Sequence, residues 1–334
     1  MPTTKKFDIR FANAKDTVIS GEILSGRVAL ELAAAVQVTE VSLELFGGSL
    51  IRISKTEVSG DSYVDVEYSS EQNYLNQRTI LWQRDNSKST LGQGTHVFRF
   101  AELIPANAPG TFDLEQFGNL PNYRNCEVGY IATCKVYLAN GNSPLVTKAK
   151  FVVITRVEPT TYPQITQTER ILVRKSIEGI DATVSMPRNY WLTGESVPLK
   201  VLIANKSSKK LTGLYACLKL ILMASAHRKG NSNDKLLEKE EQFKLKCYQT
   251  DLECSTAHPN HEVSWKLTLP SSLPCSLLRS VNPLNIALSY KLKLSVIQGG
   301  FFNKLSDQLK FELPLVLASI PLEQLPPAYA SVVS

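Results

Sequence analysis

Histidine is scarce, with four in 334 residues, and the motifs that set catalytic groups at fixed spacings are missing. The chain has no His-Glu-x-x-His, no Gly-x-Ser-x-Gly, no Gly-x-x-x-x-Gly-Lys-Ser/Thr and no Gly-x-Gly-x-x-Gly after a strand-like run. Peptidase, hydrolase, phosphate-cradling and dinucleotide-binding chemistry have no carrier in these forms, and neither an enzyme nor a cofactor is expected. The six cysteines, at 126, 134, 217, 247, 254 and 275, form no Cys-x-x-Cys pair and read as scattered reduced thiols. No apolar run reaches the roughly 18 residues of a membrane span. The start, Met1-Pro2-Thr3-Thr4-Lys5-Lys6-Phe7-Asp8, has no apolar signal core, so a cytoplasmic chain is expected. A helical stripe sustained over three turns is missing too, which leaves the strand as the main element.

What is present alternates with period two. Phe7, Ile9 and Phe11, then Val28, Leu30 and Leu32, then Val36, Val38, Val41, Leu43 and Leu45 are separated by Gly, Asn, Asp and Ser. This is the pattern of half-buried antiparallel strands. It returns at 197–204, 214–223, 284–297 and 309–317, where Pro314 lacks an amide donor and suits an edge strand. Residues 59–94 are polar and weakly periodic, which predicts a long excursion with a short helix near 69–81. Residues 226–241 predict a charged loop.

Two blocks recur. His96-Val97-Phe98-Arg99-Phe100-Ala101-Glu102-Leu103-Ile104-Pro105-Ala106-Asn107-Ala108-Pro109 returns 165 residues later as His261-Glu262-Val263-Ser264-Trp265-Lys266-Leu267-Thr268-Leu269-Pro270-Ser271-Ser272-Leu273-Pro274. Ser20-Gly21-Glu22, ahead of one alternating run, returns 173 residues later as Thr193-Gly194-Glu195 ahead of another. Blocks repeated in the same order at nearly the same offset mean one domain present twice, and 334 residues suffice for two cores. The expected layout is a β-sandwich at 1–157, a linker at 158–168 around Pro159 and Pro163, a second sandwich at 169–318 and a tail at 319–334. Because His96 and His261 occupy equivalent places, both read as structural.

Cys247, Cys254, His258 and His261 fall close together, but their spacing is not that of a compact zinc site. They read as a chance cluster in a loop, and no metal is expected. Asn205-Lys206-Ser207 is a sequon that reads as a turn. Residues 1–160 carry 16 Lys+Arg and 17 Asp+Glu, whereas residues 161–334 carry 21 and 14, so the net positive charge lies in the second half. Lys206, Lys209, Lys210, Arg228 and Lys229 would meet anionic lipid or an acidic partner if they share one face. No nucleic-acid partner is expected. Pro326-Pro327-Ala328-Tyr329 is a Pro-Pro-x-Tyr ligand. Its prolines hold a polyproline II conformation in advance, as WW domains require, which makes Pro326, Pro327 and Tyr329 the expected binding residues, the alternative being a proline-rich fray after the final strand.

Tandem all-β sandwiches of immunoglobulin-like type, each with a Ser/Thr-Gly-Glu turn, resemble the arrestin fold. So do Gly94-Thr95-His96-x-Phe98-x-Phe100 leading to Leu103-Ile104-Pro105, and Asn189-Tyr190-Trp191-Leu192-Thr193-Gly194-Glu195-Ser196-Val197-Pro198. With the Pro-Pro-x-Tyr tail, the resemblance is to the α-arrestins, the arrestin-domain-containing proteins. It implies an adaptor that links WW-domain HECT-type ubiquitin ligases to a membrane transporter or receptor cargo. It also implies a cytoplasmic protein, peripheral at the plasma membrane and endosomes, that promotes ubiquitination, endocytosis and sorting. The alternative is an arrestin-like trafficking scaffold, similar to the retromer's arrestin-like subunit, that works without a ligase. Many α-arrestins have two or more such motifs, and this chain has one, which forfeits avidity.

Overall fold

The computed structural model describes residues 4–84, 90–117, 123–157, 170–228, 236–254, 259–277, 285–298 and 309–318. Among these are nineteen strands and two 3-10 turns, at Ala14–Asp16 and Leu114–Phe117. The chain divides into two compact units, Met1–Arg156 with Ser225–Leu237, and Val157–Ala224 with Glu238–Ser334.

The first unit holds β1 (Thr4–Phe11), β2 (Thr17–Ile19), β3 (Ile23–Leu32), β4 (Val36–Ser59), β5 (Ser62–Gln83), β6 (Thr90–Leu91), β7 (Gly94–Leu103), β8 (Phe112–Asp113), β9 (Tyr123–Leu138) and β10 (Leu145–Ile154). A small antiparallel sheet runs β1-β3-β7, and a large one runs β5-β4-β9-β10-β2, with β6 on β4 and β8 on β9. Among the described residues of this unit only β2 joins its neighbour in parallel, Thr17 to Ile19 beside Val152 to Ile154. The alternating aliphatics point between the sheets: Leu24, Val28 and Leu30 of β3 and Leu43 and Leu45 of β4 are almost completely buried. Each contributes roughly 1.5–3 kcal/mol relative to an exposed side chain. Phe11 ties the layers together, its ring 6.2 Å from Phe100 on its own sheet and 5.7 Å from Phe151 on the other.

The second unit continues with β11 (Ile171–Ile177), β12 (Ile180–Met186), β13 (Tyr190–Leu192), β14 (Ser196–Asn205), β15 (Leu211–Arg228, of which it holds the part to Ala224), β16 (Leu236–Cys254, of which it holds the part from Glu238), β17 (Asn260–Thr268), β18 (Ile286–Gln298) and β19 (Lys310–Ala318). Its small sheet runs β11-β12-β14-β17, and its large one runs β16-β15-β18-β19-β13. Again the short outer strand is parallel, Tyr190 to Leu192 beside Val316 to Ala318. Setting β6, β8 and β11 aside, the strand orders are the same, so the duplication read from two blocks extends to whole sheets.

Both repeated blocks have a physical reason. In the first, Glu22 N–H donates to the Ile19 carbonyl (3.0 Å), and in the second Glu195 N–H donates to the Leu192 carbonyl (3.1 Å). The third residue of each turn has φ of +86° at Gly21 and +82° at Gly194, which a type II turn requires and glycine takes without strain. The prolines that close the long blocks accept tyrosine hydroxyls: Tyr130 donates to the Pro109 carbonyl and Tyr290 to the Pro274 carbonyl, both at 2.6 Å. Two residues further on, the N–H groups of Thr111 and Ser276 donate to Val153 and Leu317 carbonyls. Their hydroxyls accept the N–H of those same residues, each at 2.9 Å. His96 lies in β7 opposite Leu30, and His261 in β17 opposite Ile203, equivalent and half-buried.

Three expectations are corrected. The described residues of 59–94 hold no excursion and no helix, because β5 pairs antiparallel with β4 from Ser62 against Ser59 to Gln83 against Glu40. Within β5 only Tyr68 and Leu75 are buried, so no period-two signal marks it. The charged loop of 226–241 is shortened from both ends by β15 and β16, and residues 229–235 are outside the described set. Pro314 is not on an outermost strand: it lies opposite Lys291, and β13 covers β19 from Val316 onward. Among the described residues a strand pairs with Pro314 itself on one side only, so the edge position expected for it holds locally though not for β19 as a whole.

Candidate functional site

Pro326, Pro327 and Tyr329 lie outside the described residues, as do Lys229 and the linker at 158–168; β19 ends at Ala318. Three of the other predicted cations share one turn. Asn205 closes β14 fully buried, donating from Nδ2 to the Lys209 carbonyl (2.7 Å) and accepting from the N–H (3.0 Å) and hydroxyl (2.6 Å) of Ser207. The sequon asparagine is therefore the internal strut of a turn. Beside it, the β11–β12 hairpin turns through Glu178 (φ +50°) and Gly179 (φ +81°), a two-residue connection with both residues left-handed.

That hairpin supplies carboxylates to the lysines. Lys206 Nζ is 3.5 Å from Asp181, and Lys209 bonds Glu178. The Ser176 hydroxyl and then the Lys206 charge hold the Asp181 carboxyl below its usual range. Lys210 is exposed, with no acidic partner among the described residues. Arg228 falls in the first unit, opposite Tyr68 of β5 and near Glu57. Of the turn's three ammonium groups two are already compensated, and Arg228 belongs to the other unit.

Of the cysteine–histidine group, Cys247 and Cys254 are on β16 and His261 is on β17 rather than in one loop, and His258 lies outside the described residues. Cys247 is exposed on β16 of the large sheet, its Sγ 3.4 Å from that of Cys217 and 2.7 Å from the Tyr215 hydroxyl. His261 is on β17 of the small sheet. Among the described residues no group of three or more His, Cys, Asp or Glu could hold a metal ion.

A groove of about 620 Å³ lies in the first unit across β4, β9 and β10. Its floor is open because Gly48 and Gly129 oppose one another in register. Phe46, Leu50, Ile131 and Val152 form apolar walls, with Asp16, Glu71, Asp113 and Glu127 against Lys15 and Lys150 around them. No histidine or cysteine lines it among the described residues.

Reading by residue type also missed Arg10, Arg27 and Arg99. They are 17 and 72 positions apart in the sequence, and only strand register sets them in one line. The available signal was weak: each falls on the outward phase of an alternating strand.

Residues 7–159 match the family model of the arrestin (or S-antigen) N-terminal domain, and residues 178–322 match that of the arrestin (or S-antigen) C-terminal domain. No curated protein matches the chain.

Proposed function

The chain belongs to the arrestin family, with both of its domains in order, and on that premise we propose that it is an α-arrestin, an adaptor for WW-domain ubiquitin ligases. Two arrestin domains in tandem support an arrestin-like trafficking adaptor. The finer reading rests on one observation, that Pro326-Pro327-Ala328-Tyr329 begins four residues beyond the end of the C-terminal domain match at 322. Tandem prolines stack on the aromatic groove of a WW domain at little ordering cost, and the tyrosine fills the adjoining pocket.

In this reading the sandwiches at 1–157 and 169–318 hold a transporter or receptor, the residues at 319–334 hold a HECT-type ligase, and the ligase performs ubiquitin transfer. The adaptor's own contribution is to make the encounter intramolecular. Its place of work is the cytoplasmic face of the plasma membrane and endosomes. The test is titration of the full chain against isolated WW domains, wild type beside Tyr329→Ala. Micromolar binding that disappears in the variant is expected. Wild-type protein that ignores every WW domain would leave a trafficking scaffold without a ligase.

A further inference from the structure

We propose that the outer face of the first unit's small sheet is a docking site for an anionic membrane carrying multiply phosphorylated headgroups. The site is a row of three arginines. In register, Arg10 of β1 lies opposite Arg27 of β3, and Arg27 lies opposite Arg99 of β7. All three point outward, and a hollow of about 720 Å³ is lined by them together with Phe11, Ala12, Ser25, Gly26, Phe100 and Ala101. Neighbouring strands are about 4.8 Å apart, so the three bases cover about 10 Å, enough to grip more than one phosphate.

Like charges directly opposite across strands repel, and the carboxylates on this face do not relieve them all. Asp8 takes Arg10 at 3.0 Å and Lys6 at 3.6 Å, while Glu31 takes Lys5 at 3.9 Å. Arg27 and Arg99 have no acidic partner among the described residues. The backbone beneath is closely packed. In the adjacent inward row Gly26 lies between Phe11 and Phe100, and a Cβ there would come within 2.5 Å of the Phe100 ring.

Apolar side chains on the same face select the partner. Val97 (51 % exposed) lies on one side of the row, and Ile23 (56 %) faces Leu103 (61 %) on the other. Cations flanked by bare aliphatics match a membrane interface, where phosphates meet guanidinium groups and aliphatics enter the headgroup layer. A soluble phosphopeptide would use the arginines and leave the aliphatics in water. This site is separate from the lysine turn of the second unit, and it does not depend on Pro-Pro-x-Tyr.

The experiment is co-sedimentation of the full chain with phosphatidylcholine vesicles, plain or doped with phosphatidylinositol bisphosphate. Binding to the doped vesicles alone is expected. An R27Q/R99Q variant should bind roughly thirtyfold more weakly while melting at or above the wild-type temperature, since the repulsion is gone. An I23S/L103S variant should lose vesicle binding yet keep its affinity for soluble inositol polyphosphate. Undiminished vesicle binding by R27Q/R99Q overturns the proposal. So does wild-type protein that binds a phosphoserine peptide and leaves the vesicles in the supernatant, or binding that is lost only when Lys206, Lys209 and Lys210 are replaced by glutamine.

Discussion

At the scale of single residues the fold is held by groups that stay protonated. Burial pushes the Tyr130 and Tyr290 phenols upward, and it pushes the Cys126 and Cys134 thiols up to about 12. Below the ordinary thiol value of 9.0 both states keep these protons and stability is flat. Above it the unfolded chain releases the proton first, so stability falls as pH rises toward the folded-state values. The melting temperature should therefore drop steadily from about pH 9, where unfolded thiols begin to ionise, and a C126A/C134A variant should show a shallower decline. Tyr130→Phe tests the hydroxyl itself. It leaves the Pro109 carbonyl without its donor and should cost about 1–2 kcal/mol by denaturant titration at neutral pH. The prolines were legible in the sequence as stops. Their tyrosine partners were not, because only the packing of sheets shows which phenol reaches which carbonyl.

Among elements, β3, β7, β14 and β17 were legible because each has one face in the core and one outward, the condition that produces alternation. β5 was illegible because most of its residues on both phases keep contact with solvent. Its identity comes from β4, which pairs with it over its length. The arginine row was hidden for a related reason: register is a property of strand pairs, not of any one strand. Two glycines of the large sheet make an opposed pair of tests. A Cβ on Gly47 would lie 2.2 Å from the Tyr130 ring, whereas one on Gly129 would meet nothing within 4 Å. Gly47→Ala should lose about 1–3 kcal/mol as the ring is forced aside. Gly129→Ala should be neutral or gain up to about 1 kcal/mol through the unfolded chain. Equal melting temperatures for the two would contradict the packing described for Tyr130.

For the molecule as a whole, the duplication was the most legible feature, since the residues that pin each unit are the ones whose types cannot vary freely. The glycines must turn, the prolines must stop a strand, and Thr111 and Ser276 must each offer a hydroxyl and an amide at once. If the adaptor reading holds, Tyr329→Ala should remove WW binding while both units melt as before; a fall in melting temperature would show that the tail serves the fold. The parallel strand that finishes each sheet has a further consequence, for the chain as it is made. β2 appears early, yet its partner β10 follows more than a hundred residues later, and β13 waits in the same way for β19. On a ribosome adding residues one by one, neither sheet can close until its last strand has emerged. The ten strands of the first unit and its later segment Ser225–Leu237 are all made before β19 exists, so that unit can fold during synthesis. The second completes only when Ala318 is clear, so its large sheet is the later of the two to close.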